Sequence, residues 1–286
     1  MSLYTELRQP IKMLRWRMRR SAAARRYGEE KLANMPVVIG NAMPKSGSHL
    51  LSQILVGLSQ LGPFVNPGMP PLNRSKDNEK LSEQMVLERI RELKAGDVAY
   101  AYLHARQPFL RELTAERAST FFVYRDPRDM LVSHVFYATE LHPGHVMHAF
   151  YNRLGSMEER LNVSIEGVTE TGVELSPIRR KFDHYLGWLD QPDLLSLRFE
   201  DLILHREAAL GSLLDHLAIK GVEIDVSKAD AIQSLTKAIE PRKSGTFRRG
   251  QPGEWREHFT SENIERFKNA TGDLLQHLGY EKDSNW

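Results

Sequence analysis

Apolar positions along the chain change period again and again, and the changes mark out its elements. Val37, Val38 and Ile39 form a β-branched run closed by Gly40, the mark of a buried strand. From residue 49 to 61 the apolar residues Leu50, Leu51, Ile54, Leu55 and Leu58 recur at helical spacing. The pattern predicts further strands over residues 97–103, 120–124 and 193–199. It predicts helices over 78–94, 108–118, 127–139, 178–189, 206–217, 229–239 and 261–278. Strands alternating with helices argue for an α/β fold: one domain with a central, mainly parallel sheet flanked by helices. Residues 62–76, 141–172 and 240–254 carry no clear period and are expected to be loops around a site at the carboxyl ends of the strands.

The first 31 residues hold nine of the chain's 39 Lys/Arg against three of its 37 acidic residues, so the remainder is slightly acidic. We therefore expect two parts, a basic arm over 1–31 and the α/β domain over 32–286. Ile11, Leu14, Trp16 and Met18 fall too irregularly for a clean helical stripe. The arm reads either as a solvated segment or, from its basic and aromatic composition, as a peripheral contact with an anionic membrane. An acidic remainder speaks against nucleic-acid binding. The 286 residues include no cysteine, which excludes disulfides, thiolate metal sites and a cysteine nucleophile. No apolar run approaches the ~18 residues that span a bilayer, and no secretory signal is legible, so cytoplasmic residence is expected.

Chemistry concentrates in three places. After the first strand, Pro44-Lys45-Ser46-Gly47-Ser48-His49 forms a short turn that opens into a helix. Unpaired amides at a helix start, the macrodipole and the Lys45 ammonium together make an anion cradle similar to a P-loop. The G-K-[ST] signature is absent because no glycine precedes Lys45. Ser46 or Ser48 as a plain helix cap is the alternative reading. At the end of the third strand, Arg125 precedes Asp126-Pro127, a helix start, with Ser133 two turns further on. A guanidinium fork and a hydroxyl placed this way can grip one phosphate. Alternatively, Arg125 pairs with Asp129 and Ser133 is an ordinary helix serine. The third place, residues 244–256, sets Arg248, Arg249 and Gly250 in a Gly/Pro-rich segment suited to wrapping an anion; an exposed loop anchored by Trp255 is the alternative reading.

Together the three segments resemble the PAPS-dependent sulfotransferase family, which moves a sulfonate from 3′-phosphoadenosine 5′-phosphosulfate (PAPS) to a hydroxyl or amine. Pro44-Lys45-Ser46-Gly47-Ser48 is similar to the family's P-K-S-G-T-T-W loop for the 5′-phosphosulfate. Arg125 and Ser133 match its 3′-phosphate pair, spacing included. Phe247-Arg248-Arg249-Gly250 with Gly253-Glu254-Trp255 is similar to F-x-R-K-G-x-x-G-D-W, where the basic pair and glycine also hold the 3′-phosphate.

The resemblance implies a histidine base after the second strand, and His104 stands there. An imidazole with near-neutral pKa can take a hydroxyl proton. Lys45 would then stabilise charge on the leaving phosphate, and Ser133 would hold Lys45 off until acceptor binds. Phe182 resembles, by its place, an adenine-contacting tyrosine of the family; a core helix residue paired with Leu186 is the alternative reading. The chain departs from the pattern at His49, Leu50 and Tyr102, which replace a threonine, the adenine-stacking tryptophan and a lysine. The resemblance implies PAPS as co-substrate, no metal, and a small-molecule, lipid or carbohydrate acceptor bearing a hydroxyl. A kinase-like phosphotransferase and a non-enzymatic phosphate- or membrane-binding module are the competing readings.

Overall fold

A computed structural model describes residues 8–170, 172–243 and 248–286. Its elements run α1 (Arg8–Tyr27), α2 (Glu29–Ala33), β1 (Val37–Ala42), α3 (Ser48–Leu61), α4 (Glu83–Glu92), β2 (Val98–Ala101), α5 (Phe109–Leu113) and β3 (Ala118–Tyr124). Then follow α6 (Pro127–Phe136), α7 (His148–Arg153), α8 (Met157–Glu166), β4 (Val168–Glu170), β5 (Val173–Leu175) and α9 (Ile178–Leu186). The chain continues through β6 (Leu194–Arg198), α10 (Phe199–Leu204), α11 (Arg206–Ile219), α12 (Lys228–Ala238), α13 (Ser261–Thr271) and α14 (Leu274–His277). Contacts group these into a sheet unit, reaching Tyr124 and resuming over Trp188–Pro241, and a helical unit of Arg125–Gly187 with Arg242–Trp286.

In the sheet unit four strands pair in the order β2-β1-β3-β6, all parallel. Every residue of β1 and β3 is buried, which is why both read as continuous apolar runs instead of alternating ones. Parallel neighbours need crossovers, and α3, α11 and α12 supply the apolar cover. Leu51, Ile54 and Leu58 of α3 share one core with Leu210 and Leu213 of α11 and Leu235 of α12. Removing each such side chain from water stabilises the unit by about 1.5–3 kcal/mol. Gly57 admits this packing, since a Cβ there would lie 2.9 Å from Leu235.

Over its described residues, 8–31, the basic arm packs through one face instead of standing as a solvated segment. It folds as α1, and Trp16 and Ala23 are buried with Leu32 and Val65. The Trp16 indole donates to Asp97 at 3.0 Å, and Arg20 pairs with the same carboxylate at 2.9 Å. The inward face carries Trp16, Arg20, Ala23 and Tyr27, and two of these four are polar or weakly apolar, so a search for apolar periodicity misses it.

The helical unit is built around Arg128, which is 2% exposed. Its guanidinium lies between the rings of Trp255 (4.1 Å) and Trp286 (4.6 Å) and pairs with Asp126 at 2.7 Å and Glu281 at 2.6 Å. Thr260 and Asn263 form a capping box at the start of α13, and Asn263 also donates to Glu158 and Asn162 around α8. Residues 141–172, expected as one loop, contain α7, α8 and the start of the β4–β5 hairpin. Ser156 caps α8, and Leu161 and Ile165 are fully buried. The expected helix over 127–139 leaves α-geometry at Phe136 for a π-turn over Tyr137–Leu141.

Candidate active site

The sheet unit places two of the predicted groups at the carboxyl ends of neighbouring strands. Four residues after Asn41 on β1, Lys45 adopts a left-handed backbone (φ 66°), and Gly47 does so again (φ 86°) as the N-cap of α3. Successive turns of this kind point backbone N–H groups inward as an anion nest. Gly47 offers no side-chain cap, so the first amides of α3 keep their donors available for an anion. Glycine is required here on two counts: the positive φ, and a Cβ that would lie 2.5 Å from the Phe199 ring. Ser46 is fully buried, and among the described residues its hydroxyl has no hydrogen-bond partner. A buried hydroxyl with no partner among the described residues, beside a lysine and an uncapped helix start, is suited to receiving an anion.

Lys45 and Ser48 are half-buried and His49 is exposed. Partial burial, and then the Lys45 ammonium, hold His49 below the usual imidazole value. His104 is half-buried and sits three residues past the end of β2, the strand paired with β1 through Asn41 and Ala101. The segment leading to it is fixed by side chains that the sequence reading did not single out. Asn41, fully buried, donates to the Leu103 carbonyl at 3.0 Å and accepts the Leu103 N–H at 2.8 Å. Asn73 does the same for Tyr102, at 2.8 and 3.1 Å. Asn41 follows the glycine that closes the β-branched run 37–39, and nothing in the local pattern marks its partner Leu103.

The helical unit gathers the other predicted groups. Arg125 is 6% exposed and lies 3.9 Å from Asp129. That carboxylate also accepts the backbone N–H groups of Gly253 at 2.7 Å and Trp255 at 2.8 Å. Burial pushes Asp129 above its ordinary value, against the opposing pull of Arg125 and the two amides. Asp129 therefore ties the Arg125 end of α6 to the segment that carries Arg248, Arg249 and Gly250. The Arg248 guanidinium lies 3.9 Å above the Phe136 ring, one turn of α6 beyond the half-buried Ser133. Arg248 forms a two-pronged pair with Glu254, while Arg249 reaches Glu257 at 2.7 Å and Glu254 at 3.5 Å. Burial alone would raise Glu254, but Arg248, with Arg249 behind it, holds its carboxyl below the usual range. Gly250 takes a positive φ of 63°. Phe247 lies outside the described residues.

Phe182 is completely buried on α9, as the core reading of this residue expects. Among the described residues no group of three metal-ligating side chains forms, and no helix is long and apolar enough to cross a membrane.

A sulfotransferase domain model matches residues 37–279. A 3-alpha-hydroxysteroid sulfotransferase from guinea pig (Cavia porcellus) is 23% identical, with 78% of each chain covered. Among solved structures, a mouse sulfotransferase complexed with PAP superposes with a TM-score of 0.56 at 16% identity, covering 90% of this chain and 91% of that one. A retinol dehydratase in complex with androsterone and the inactive cofactor PAP gives 0.55 at 15% identity, covering 86% and 83%. The family match runs from residue 37 to residue 279, most of the chain: this protein belongs to the sulfotransferase family.

Proposed function

We propose that the protein moves a sulfonate from PAPS to an acceptor hydroxyl, with His104 as general base and Lys45 as the cation that meets the leaving group's charge. PAPS supplies a sulfonate activated by its anhydride bond to the 5′-phosphate. Lys45, Ser46, Gly47, Ser48 and His49 hold the phosphosulfate end, and Arg125, Ser133, Arg248, Arg249 and Gly250 hold the 3′-phosphate. The acceptor oxygen passes its proton to His104 and forms the new S–O bond as the bond to the 5′-phosphate breaks. Lys45 and the amides of the turn stabilise the negative charge that develops, an electrostatic role requiring fixed donors. By the family resemblance, Ser133 would hold Lys45 off until the acceptor binds. No metal takes part in this scheme.

The observation that carries the reading is the Lys45–Ser48 turn, with its orphaned Ser46 hydroxyl and two left-handed residues at an uncapped helix start. Its direct test is His104→Ala. Turnover should fall about 10²–10⁴-fold, with PAP affinity unchanged in a calorimetric titration. Near-wild-type turnover would remove His104 from the role.

The named activities of the relatives make a small apolar alcohol, a hydroxysteroid or retinol, the first acceptors to try, followed by phenols, lipids and carbohydrates. The protein would work in the cytosol, with α1 resting on anionic membrane. Leu14 and Met18 are 58% and 61% exposed, one turn apart, with the exposed Arg15, Arg17 and Arg25 around them. Apolar side chains ringed by arginines suit a negatively charged lipid surface.

A further inference from the structure

We infer that Asn41 and Asn73 are positioning residues for His104: two side-chain amides that continue the β-ladder past the end of β2 and hold the base in place. The inference rests on His104 being the base.

β2 ends at Ala101, yet the next two residues are bonded as though the sheet went on. On one side of β2 runs the 62–76 segment. Val98 donates to the Val65 carbonyl at 2.9 Å, and Leu72 donates to the Tyr100 carbonyl at 2.9 Å. Two residues further along, the Asn73 carboxamide takes over from backbone, accepting the Tyr102 N–H and donating to the Tyr102 carbonyl. On the other side runs β1, paired with β2 from Val38↔Val98 to Asn41↔Ala101. There the Asn41 carboxamide bonds both the N–H and the carbonyl of Leu103. A second donor, the Trp188 indole, reaches the same Leu103 carbonyl at 2.7 Å. A carboxamide has the donor and acceptor of a peptide group, so each asparagine stands in for a strand neighbour at one residue.

As a result, the backbone of both residues preceding His104 is bonded at N–H and C=O, at a place where the regular sheet has already ended. The Arg106 N–H in turn donates to the His104 carbonyl at 2.9 Å. Leu103 is buried, so its backbone needs partners in any case; what bears on catalysis is that both asparagines fix the two residues directly before His104. Asn73 belongs to the 62–76 segment, one of those expected around the site, so it joins that segment to the strand end that carries His104. Catalysis by proton transfer is sensitive to displacements of this order, and a misplacement of about 1 Å can cost on the order of 100-fold.

The test compares Asn41→Ala, Asn73→Ala and Asn73→Asp in the full-length protein, alone and combined with His104→Ala. Turnover is read with radiolabelled PAPS and the best acceptor from a panel of a phenol, a 3-hydroxysteroid, retinol and a fatty alcohol. We expect each single variant to lower kcat about 10- to 100-fold, while PAP affinity and the KM for PAPS stay within about twofold. Asn73→Asp, which keeps the acceptor oxygen for Tyr102 N–H, should recover part of the Asn73→Ala loss. In the His104→Ala background the same substitutions should leave the residual rate unchanged, because nothing is left to position. If the asparagine losses persist in full in that background, or if PAP affinity falls in step with kcat, the positioning role is overturned while the base assignment stands. If His104→Ala alone keeps near-wild-type turnover, the base assignment fails and the positioning role falls with it. Because Asn41 is buried, the half-buried Asn73 keeps the test decisive should Asn41→Ala fail to fold.

Discussion

The Asp129 carboxylate accepts the backbone N–H of Trp255 at 2.8 Å, joining positions 126 residues apart in the chain. With its second oxygen on the Gly253 N–H and Arg125 at 3.9 Å, this one buried side chain gathers the two arginine segments that resemble a 3′-phosphate site. Hydrogen bonds to a buried charge contribute about 1.5–3 kcal/mol each. Asp129→Ala should therefore destabilise the protein by about 2–4 kcal/mol in thermal unfolding and weaken PAP binding at least about tenfold. Asp129→Asn, which keeps one acceptor oxygen, should lie between. Unchanged PAP affinity in Asp129→Ala would separate Asp129 from the phosphate site.

Gly47→Ala should damage the turn at Lys45 more than its size suggests. The new methyl would meet the Phe199 ring at 2.5 Å while the backbone stays at φ 86°. A non-glycine residue held in this region costs about 1–3 kcal/mol. Relieving only the contact, with Phe199→Leu added, should recover part of the lost melting temperature but not the PAP affinity, because the strain in the backbone remains. Full recovery by Phe199→Leu would mean that the left-handed turn is unimportant.

The exposed His49 titrates below its ordinary value, pushed there by partial burial and then by Lys45. As pH falls through that lowered value, His49 gains a positive charge beside the Lys45 turn. The ratio of PAP affinities, wild type over His49→Gln, should therefore rise as pH drops from 7 toward 5. Comparing the two proteins cancels the protonation of the ligand's own phosphates. Lys45→Met should move the His49 titration, followed by NMR, back up toward the free-imidazole value. A ratio flat across this range would show that His49 does not face the anion.

Two faces of α1 should separate stability from membrane contact. Trp16→Ala removes a buried ring and its bond to Asp97, and should cost about 3–5 kcal/mol of stability. Leu14→Glu with Met18→Glu touches exposed positions and should leave the melting temperature unchanged. That double variant should nevertheless lose sedimentation with vesicles of mixed phosphatidylcholine and phosphatidylserine. Equal sedimentation of wild type and double variant would exclude this face from lipid contact.

What was legible in the sequence follows from local physics. β1, the turn at Lys45 and α3 were readable because an apolar strand, a Gly/Ser/Lys turn and a helical period succeed one another within 25 residues. The start of α6 at Asp126-Pro127 was readable because an N-cap and an N1 proline declare themselves locally, and Asp126 does accept the Arg128 N–H. α1 was missed because its packing face includes Arg20, whose partner Asp97 lies 77 positions away. The π-turn at Tyr137, the asparagine ladder and the Asp129 clamp each depend on residues brought together only by folding. Local spacing cannot reveal these. The burial of Phe182 was likewise invisible, since an aromatic residue on an amphipathic helix looks the same whether it faces a ligand or the core.

The central claim is that Arg125, Ser133 and the Arg248 segment recognise a 3′-phosphate. The most direct measurement is a calorimetric titration of the wild type and Arg125→Ala with PAP and with 5′-AMP, which lacks that group. The account predicts that the wild type binds PAP at least about tenfold tighter than 5′-AMP, and that Arg125→Ala removes most of the difference while leaving 5′-AMP affinity nearly unchanged. Equal affinity of the wild type for the two nucleotides, or tight binding of ATP with Mg²⁺ and none of PAP, would contradict it.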